Sequence, residues 1–526
     1  MRKKRRKKGS PQASGYGDAG ASIIKRALRN FNARSGSTQL DIDMQNRTLR
    51  QRSRMLYMAA PIATSAINTA RTNVVGVGLT LQSNIDINIL KISPEEAREW
   101  RKRTEAEFRL WAAKKQNCDA LGMNNFKELQ QLALKSWLLS GDVFVLIKRY
   151  NPTPLAPYSL RLHLIEADRI STPDKLRGGS YIAGNTEGIA DNGNLIHDGV
   201  EVDKDGRVVA YYISNAYPYE FSDVPMEWTR VEAYGKLTGL PNIIHIKNDE
   251  RPEQYRGVPF LTQVIEPLLQ IRRYTESELM AALIQSFFTA WIESVSDPDE
   301  MPLNETGPGD GDVPEDNPDN STSENEYDMG PGQVNVLKKD EKVVFGNPNI
   351  PTAGFESFVK VFCKLTGAAL EIPHEVLMKE YSSSYSASRA ALLEAWKSFC
   401  MYREWFTSDF CQPVYEIWLS EAIARGRIKA PGFFDDPLIM EAYFGSRWIG
   451  PVQGQLDSVK ESEAAVLQIT HGIKTHEQIT REMGGGDWYE NVTQLQRENE
   501  MLRAAGIVPV QSANTTGGNE DEPDKD

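Results

Sequence analysis

The most constraining stretch of the chain is residues 374 to 411, HEVLMKEYSSSYSASRAALLEAWKSFCMYREWFTSDFC, where a polar serine-rich loop runs straight into a long helix studded with aromatics. Leu392, Trp396 and Phe399 stand at helical spacing and are continued by Phe406 and Phe410. One face is therefore expected to bury while Lys397, Arg403 and Glu404 stay outside. Such a face needs a partner from elsewhere in the chain. Ahead of it, Tyr381, Ser382, Ser383, Ser384 and Tyr385 suit a loop, because their hydroxyls compete for backbone groups, and Ser386 is placed to cap the helix. Pro413 stops the helix and opens a second one through Val414, Tyr415, Trp418 and Ile423, closed at Gly426.

The 526 residues leave room for roughly two to four domains and a sizeable core. The longest uncharged runs, Met55 to Ala70 and Leu279 to Ile292, fall short of the roughly 20 apolar residues that span a bilayer, so no membrane segment is expected. Cys118, Cys363, Cys400 and Cys411 have no CxxC spacing and fit buried thiols in a reducing compartment, with neither disulfide nor zinc. MRKKRRKKGS at the amino terminus lacks the apolar core of a signal peptide.

The net charge of −12 is unevenly spread. Seven bases fill positions 2 to 8, twelve acids and no base lie from Asp297 to Asp328, and five acids face Lys525 in the tail from Glu520. The remaining body is close to neutral, so it neither grips nucleic acid tightly nor repels it wholesale. The basic head is an electrostatic footprint for nucleic acid or assembly, or a solubilising arm. The acidic segment has too few apolar residues to offset the entropy of ordering and is expected to be mobile.

In chain order, residues 46 to 73 read as a helix ending at VVGVG, and helices follow from Pro94 to Ala113 and Phe126 to Ser140. Strand-like runs come next: VFVLIKRY, RLHLIEADRI, the GVEVDKDGRVVAYYIS hairpin turning at Asp205 and Gly206, and IIHIKN. A helical pattern then runs from Pro259 to Ile292, kinked by Pro267, with Leu268, Ile271, Leu279, Leu283 and Phe287 on one side. QVNVLKKDEKVVFGNP reads as a hairpin turning at Lys339 and Asp340. The helix after it has Phe358, Phe362 and Leu365 inward, with Lys360 and Lys364 one turn apart on another face. The last helices run near 451 to 470, 475 to 483 and 488 to 505, and Thr475 with Gln478 makes a capping box.

Enzyme signatures are missing. There is no GxxxxGK[ST], GxSxG or HExxH, the glycines at 76 and 78 follow a helix and so are no dinucleotide fingerprint, and the acidic segment fails the EF-hand pattern. Asp142, Glu166 and Asp168 at strand ends are the carboxylates that could hold a metal for a nuclease, although solvated strand ends explain them more simply. An assembly adaptor, making partner contacts through the basic head and acidic insertion, is the other alternative.

The run YSSSYSASRAALLEAW, with IPHEVL before it and CQPVYEIWL after, resembles the equivalent segment of the lambda-like family of tailed-phage portal proteins. Asn73, Gly76 and Gly78, then SGDVFVLI, LIEADRI, GVEVDKDGRVVAYYI and YRGVP, follow in the family's order, so the resemblance spans roughly residues 45 to 505. It implies an α+β portal fold with an α/β wing, two-helix stem, small mixed α/β clip and helical crown, closing head to tail into a dodecameric ring. The implied parts are a basic arm (1–38), the wing (39–258), a first stem helix (259–294), and a clip (295–350) with the acidic insertion (297–332). A second stem helix (351–373), a tunnel loop (374–386), the brace helix and its successor (387–426), the crown (427–507) and an acidic tail (508–526) complete it.

In this resemblance the ring is a channel for non-specific double-stranded DNA. Its partners are the terminase large subunit, major capsid and scaffold proteins and head-tail connector proteins, with no cofactor and no catalysis. A channel must let DNA slide, which calls for scattered cations and many hydroxyls instead of a basic groove. Lys379, Ser382, Ser383, Ser384 and Tyr385 suit the channel loop, and Lys360 and Lys364 the stem lumen. Leu392, Trp396, Phe399 and Phe406 would pack the brace helix.

Overall fold

The computed structural model describes residues 25–28, 30, 35–177, 187–218, 224–287, 291–294, 341–344, 354–381, 385–454, 458–484 and 486–506. Most of the basic arm, the acidic insertion, Lys339, Asp340, Ser382, Ser383, Ser384 and the acidic tail lie outside the described residues. The chain divides into two compact units, one of residues 1–265 with 367–526 and the other of 266–366.

The first unit begins with two helices where the periodicity suggests one. Proline disfavours helical geometry in the residue before it, and Ala60 is accordingly extended, so α1 (Met44–Ala59) ends and α2 (Pro61–Val74) starts afresh with Pro61 at its first turn. Strand β1 (Thr80–Ser83) and the short α3 (Ile87–Leu90) lead to α4 (Pro94–Ala112), whose start is fixed by a reciprocal capping box between Ser93 and Glu96. A short α5 (Lys115–Cys118) precedes α6 (Phe126–Ser140), boxed in the same way by Asn125 and Glu128. Gly141 closes α6 at φ +88°, and its backbone crosses that of Gly257 so closely that a Cβ on Gly257 would collide with the Gly141 carbonyl oxygen.

The strands then form two sheets. In the first, β2 (Asp142–Arg149) is central, antiparallel to β3 (Leu160–Glu166) on one side and β9 (Ile243–Lys247) on the other. The second is an antiparallel meander of β4 (Glu187–Ile189), β5 (Leu195–His197), β6 (Val200–Val202), β7 (Val208–Ser214) and β8 (Trp228–Glu232). The Asp-Gly turn falls between β6 and β7, as its residues demand. Phe144, Ile165 and Ile243 from the first sheet bury against Val200, Val202, Tyr211 and Ile213 from the second.

The second unit holds nearly all of α7 (Ile265–Phe287) and most of α8 (Phe355–Ala369), with the antiparallel pair β10 (Trp291–Ser294) and β11 (Glu341–Val344). Three features of this unit depart from the pattern of its residues. The helix begins at Ile265 after a 3-10 turn, so Pro267 sits in its first turn, where the missing N–H breaks no bond. Trp291 and Ile292 are strand, not helix, and their partner is EKVV at 341–344. Leu365, expected inward, is 59% exposed, while Phe358 packs its ring against both Tyr274 and Phe362.

Back in the first unit, α9 (His374–Met378) precedes α10 (Tyr385–Phe406). A π-helical turn (Thr407–Cys411) then carries the chain into α11 (Gln412–Ala424), with Pro413 at its first turn and Gly426 at φ +69° after it. Next, α12 (Pro437–Phe444) and β12 (Ser446–Ile449) return to the body, where β12 pairs with β1 across Leu81 and Trp448. Trp448 and Trp418 both meet Phe108 of α4, so residues 427–449 complete the core and the separate helices expected of a crown begin later. Those are α13 (Ser458–Thr470), α14 (His476–Gly484), opened by the Thr475–Gln478 box, and α15 (Trp488–Ala504).

Candidate functional site

The first end of the serine-rich loop is anchored on α2. Val376 and Leu377 of α9 are buried, and Ser65 of α2 donates its hydroxyl to the Leu377 carbonyl at 2.7 Å. Lys379 ends α9 in the left-handed region at φ +56°, the conformation in which a helix closes its last carbonyls, and its side chain is exposed. The expected loop of 374–386 is therefore shorter: 374–378 is helix, and Tyr385 is the first residue of α10. Ser382, Ser383 and Ser384, which supply the expected hydroxyls, are outside the described residues.

The other end opens α10, whose hydrogen bonds to the end of α2 come from Arg403, eighteen residues on. Phe399 and Phe406 are buried as expected, whereas Leu392 and Trp396 are not fully buried and Ala395 takes the deep position on that face. Arg403, expected outside, is turned inward. It donates to the Asn73 and Val74 carbonyls at 2.7 and 2.8 Å, and its guanidinium lies 5.2 Å from the Trp396 ring. Those carbonyls are the orphan acceptors at the end of α2, and a cation there also meets the negative end of the helix dipole. On α8, Lys360 pairs with Glu356 at 2.8 Å and Lys364 is exposed, one turn on.

The three carboxylates considered for a nuclease do not gather round a space. Asp142 is buried and accepts from the Arg256 Nε at 2.7 Å and the Gly257 amide at 3.1 Å, with the Arg50 guanidinium at 3.7 Å. Asp168 pairs with Arg54 and, at 3.8 Å, with Arg50, and Glu166 receives the Tyr217 hydroxyl at 3.0 Å. Arg256 directs its remaining donors to Asp198 at 2.6 Å and to the Ala167 and Ile170 carbonyls at 2.8 and 3.0 Å. This hub ties α1, the start of β2, the turn after β3, the turn before β6 and the YRGVP loop together. Sequence reasoning misses Arg50, Asp198 and Arg256. The only trace of them is a lone arginine in that loop.

Charge in the hub settles protonation. Burial would raise Asp142, but Arg256 and Arg50 hold its carboxyl well below the usual range. Asp43, at the head of α1, is pushed up to about 7 by burial and by Asp198, with Asp142 adding to the rise and Arg256 and Arg50 opposing it. Between its ordinary value and about 7 the folded chain keeps a proton that the unfolded chain gives up, so this contribution falls as pH rises through that window. We expect Asp43→Asn to raise stability at pH 8 by on the order of 2 kcal/mol and to change it little at pH 4. Melting temperatures of parent and variant at the two pH values check this, and an equal gain at both would refute it.

A family model described as phage portal protein, lambda family, matches residues 25–403 of this chain. Portal protein B of Escherichia phage lambda is 25% identical over 471 residues, covering 85% of this chain and 82% of that protein. The portal protein of Escherichia phage N15 is 23% identical over 471 residues, covering 85% and 83%. The probable portal protein of Halomonas phage phiHAP-1 is 24% identical over 466 residues, covering 87% and 82%. Among solved structures, the neck of a native gene transfer agent particle aligns with a TM-score of 0.41 and 13% identity, over 84% of this chain and 93% of that one.

Proposed function

Since the chain belongs to the lambda family of phage portal proteins, we propose that twelve copies close head to tail into a ring at one capsid vertex. Packaged double-stranded DNA then enters and leaves through its centre. The ring assembles in the host cytoplasm among scaffold and major capsid proteins, receives the terminase large subunit, and later carries the head-tail connector proteins. It acts as a structural conduit and catalyses nothing itself; the energy for packaging comes from the terminase.

One observation carries the ring: a single copy leaves apolar side chains of both proposed stem helices bare. Leu279 and Met280 on α7, and Val361 and Leu365 on α8, are all more than half exposed. A heterologous contact, in which one side of each subunit meets the other side of the next, would cover them and close a ring. Among the described residues no helix is long and apolar enough to cross a membrane, so a bilayer spanned by these helices is not the cover.

The channel loop is assigned to Lys379, Ser382, Ser383, Ser384 and Tyr385, with Lys360 and Lys364 facing the lumen from the stem. Hydroxyls and a few cations touch phosphates without holding them, and the first end of the loop stands on α2. Replacing Lys379, Ser382, Ser383 and Ser384 with alanine together is expected to spare ring assembly and to cut retained DNA about tenfold. Lys379→Gly separates charge from backbone, because glycine keeps the left-handed geometry without strain. Quantifying encapsidated DNA in particles checks both variants. Wild-type DNA content with the four alanines removes the loop from the channel.

A further inference from the structure

Helix α15 is left almost bare by its own chain. From Asn491 to Ala504 only Thr493 and Leu502 are even half-buried. Its first turn is secured, since Asp487 accepts from the Tyr489 and Glu490 amides, the Trp488 ring stacks on His476, and Arg98 reaches the Thr493 hydroxyl at 3.2 Å. Beyond that turn, a helix exposed on all sides is a poor candidate to stand alone in water.

The exposed surface is patterned. Val492, Leu495, Asn499 and Leu502 follow at intervals of three, four and three, which are the a, d, a and d positions of a heptad, and Trp488 is the d position before them. Valine at a with leucine at d favours two parallel strands, and a single asparagine at a fixes that register. The flanks agree with a parallel copy. Glu498 at g meets Arg503 at the neighbour's e, giving opposite charges, and Asn491 at g meets Gln496 at the neighbour's e, giving matching amides.

We propose that α15 pairs in parallel with α15 of a second copy of this chain through the seam Val492, Leu495, Asn499 and Leu502. The proposal rests on the ring reading, because about two heptads are too few to associate from free solution. Copies held side by side in a ring meet at a high effective concentration. A two-stranded seam uses one face of each helix, so it joins neighbouring subunits two by two around the ring.

The test uses the full-length chain, with Leu495→Cys on the seam and Arg497→Cys on the outer f position, under mild oxidation. Assembly state is read by mass and dimer by non-reducing gel. The parent chain is the background, since Cys118, Cys363 and Cys411 are buried and Cys400 half-buried. Most of the Leu495→Cys chains should become covalent dimer, and Asn499→Cys should behave likewise, while Arg497→Cys stays at the parent level. Rings in which Leu495→Cys cross-links no more than the parent, or in which Arg497→Cys cross-links equally, overturn the pairing and leave the ring standing. The same holds if the Leu495→Cys thiol is shielded from a thiol reagent yet not cross-linked, which would put some other segment on the seam. Monomers without cross-links overturn pairing and ring together.

Discussion

Replacing Arg256 with methionine should cost the fold about 3–5 kcal/mol, the range seen when one partner of a buried ion pair is removed. Methionine keeps much of the side-chain volume, so little of the loss comes from a cavity. What remains is Asp142 in the core with the Arg50 guanidinium at 3.7 Å, and Asp198 with Arg50 at 3.4 Å. The Ala167 and Ile170 carbonyls also lose their donor. Lysine at 256 restores one charge but not the fork that reaches two carboxylates and two carbonyls, so Arg256→Lys should recover less than half of the loss. Urea unfolding midpoints measure it. A change below about 1 kcal/mol for Arg256→Met would mean that the hub does not hold the two sheets and α1 together.

The second large effect is on assembly. Leu279 and Leu365 are 69% and 59% exposed, so glutamate at both positions should leave the stability of the single chain within about 0.5 kcal/mol of the parent. In the ring the same two glutamates would lie in a desolvated contact between stem helices. About 1.4 kcal/mol lost at each interface lowers its association tenfold, and the loss recurs at every interface of the ring. The double variant Leu279→Glu, Leu365→Glu should therefore melt like the parent and fail to form rings. Sedimentation of the two proteins side by side reads the difference, and unchanged rings in the variant would exclude these helices from the contact.

What the sequence discloses and what it hides divide along contact range. Capping residues act within one turn, and Thr475 with Gln478, Gly141 after α6 and Gly426 after α11 all stand where local chemistry puts them. Arg403 reads as an outside residue because a helical wheel shows its own helix only, and the carbonyls it binds lie 329 and 330 residues upstream. Asp142 and Arg256 are 114 residues apart, and no periodicity links two residues that meet through the end of one strand and a loop. The pairing of β10 with β11 is hidden for a similar reason, since Trp291 and Ile292 prolong an apolar helical pattern until a partner strand claims them. Of the serine-rich loop, the hydroxyls are legible in the residue order alone, whereas the anchor of α9 on α2 is visible only in the folded chain.

Electron imaging of the purified full-length chain in moderate salt, paired with its native mass, reads the proposed ring itself. We expect closed rings with a central hole and a mass of about twelve chains of 59.0 kDa each. A chain that stays monomeric or dimeric at every concentration, with and without scaffold protein, would contradict it.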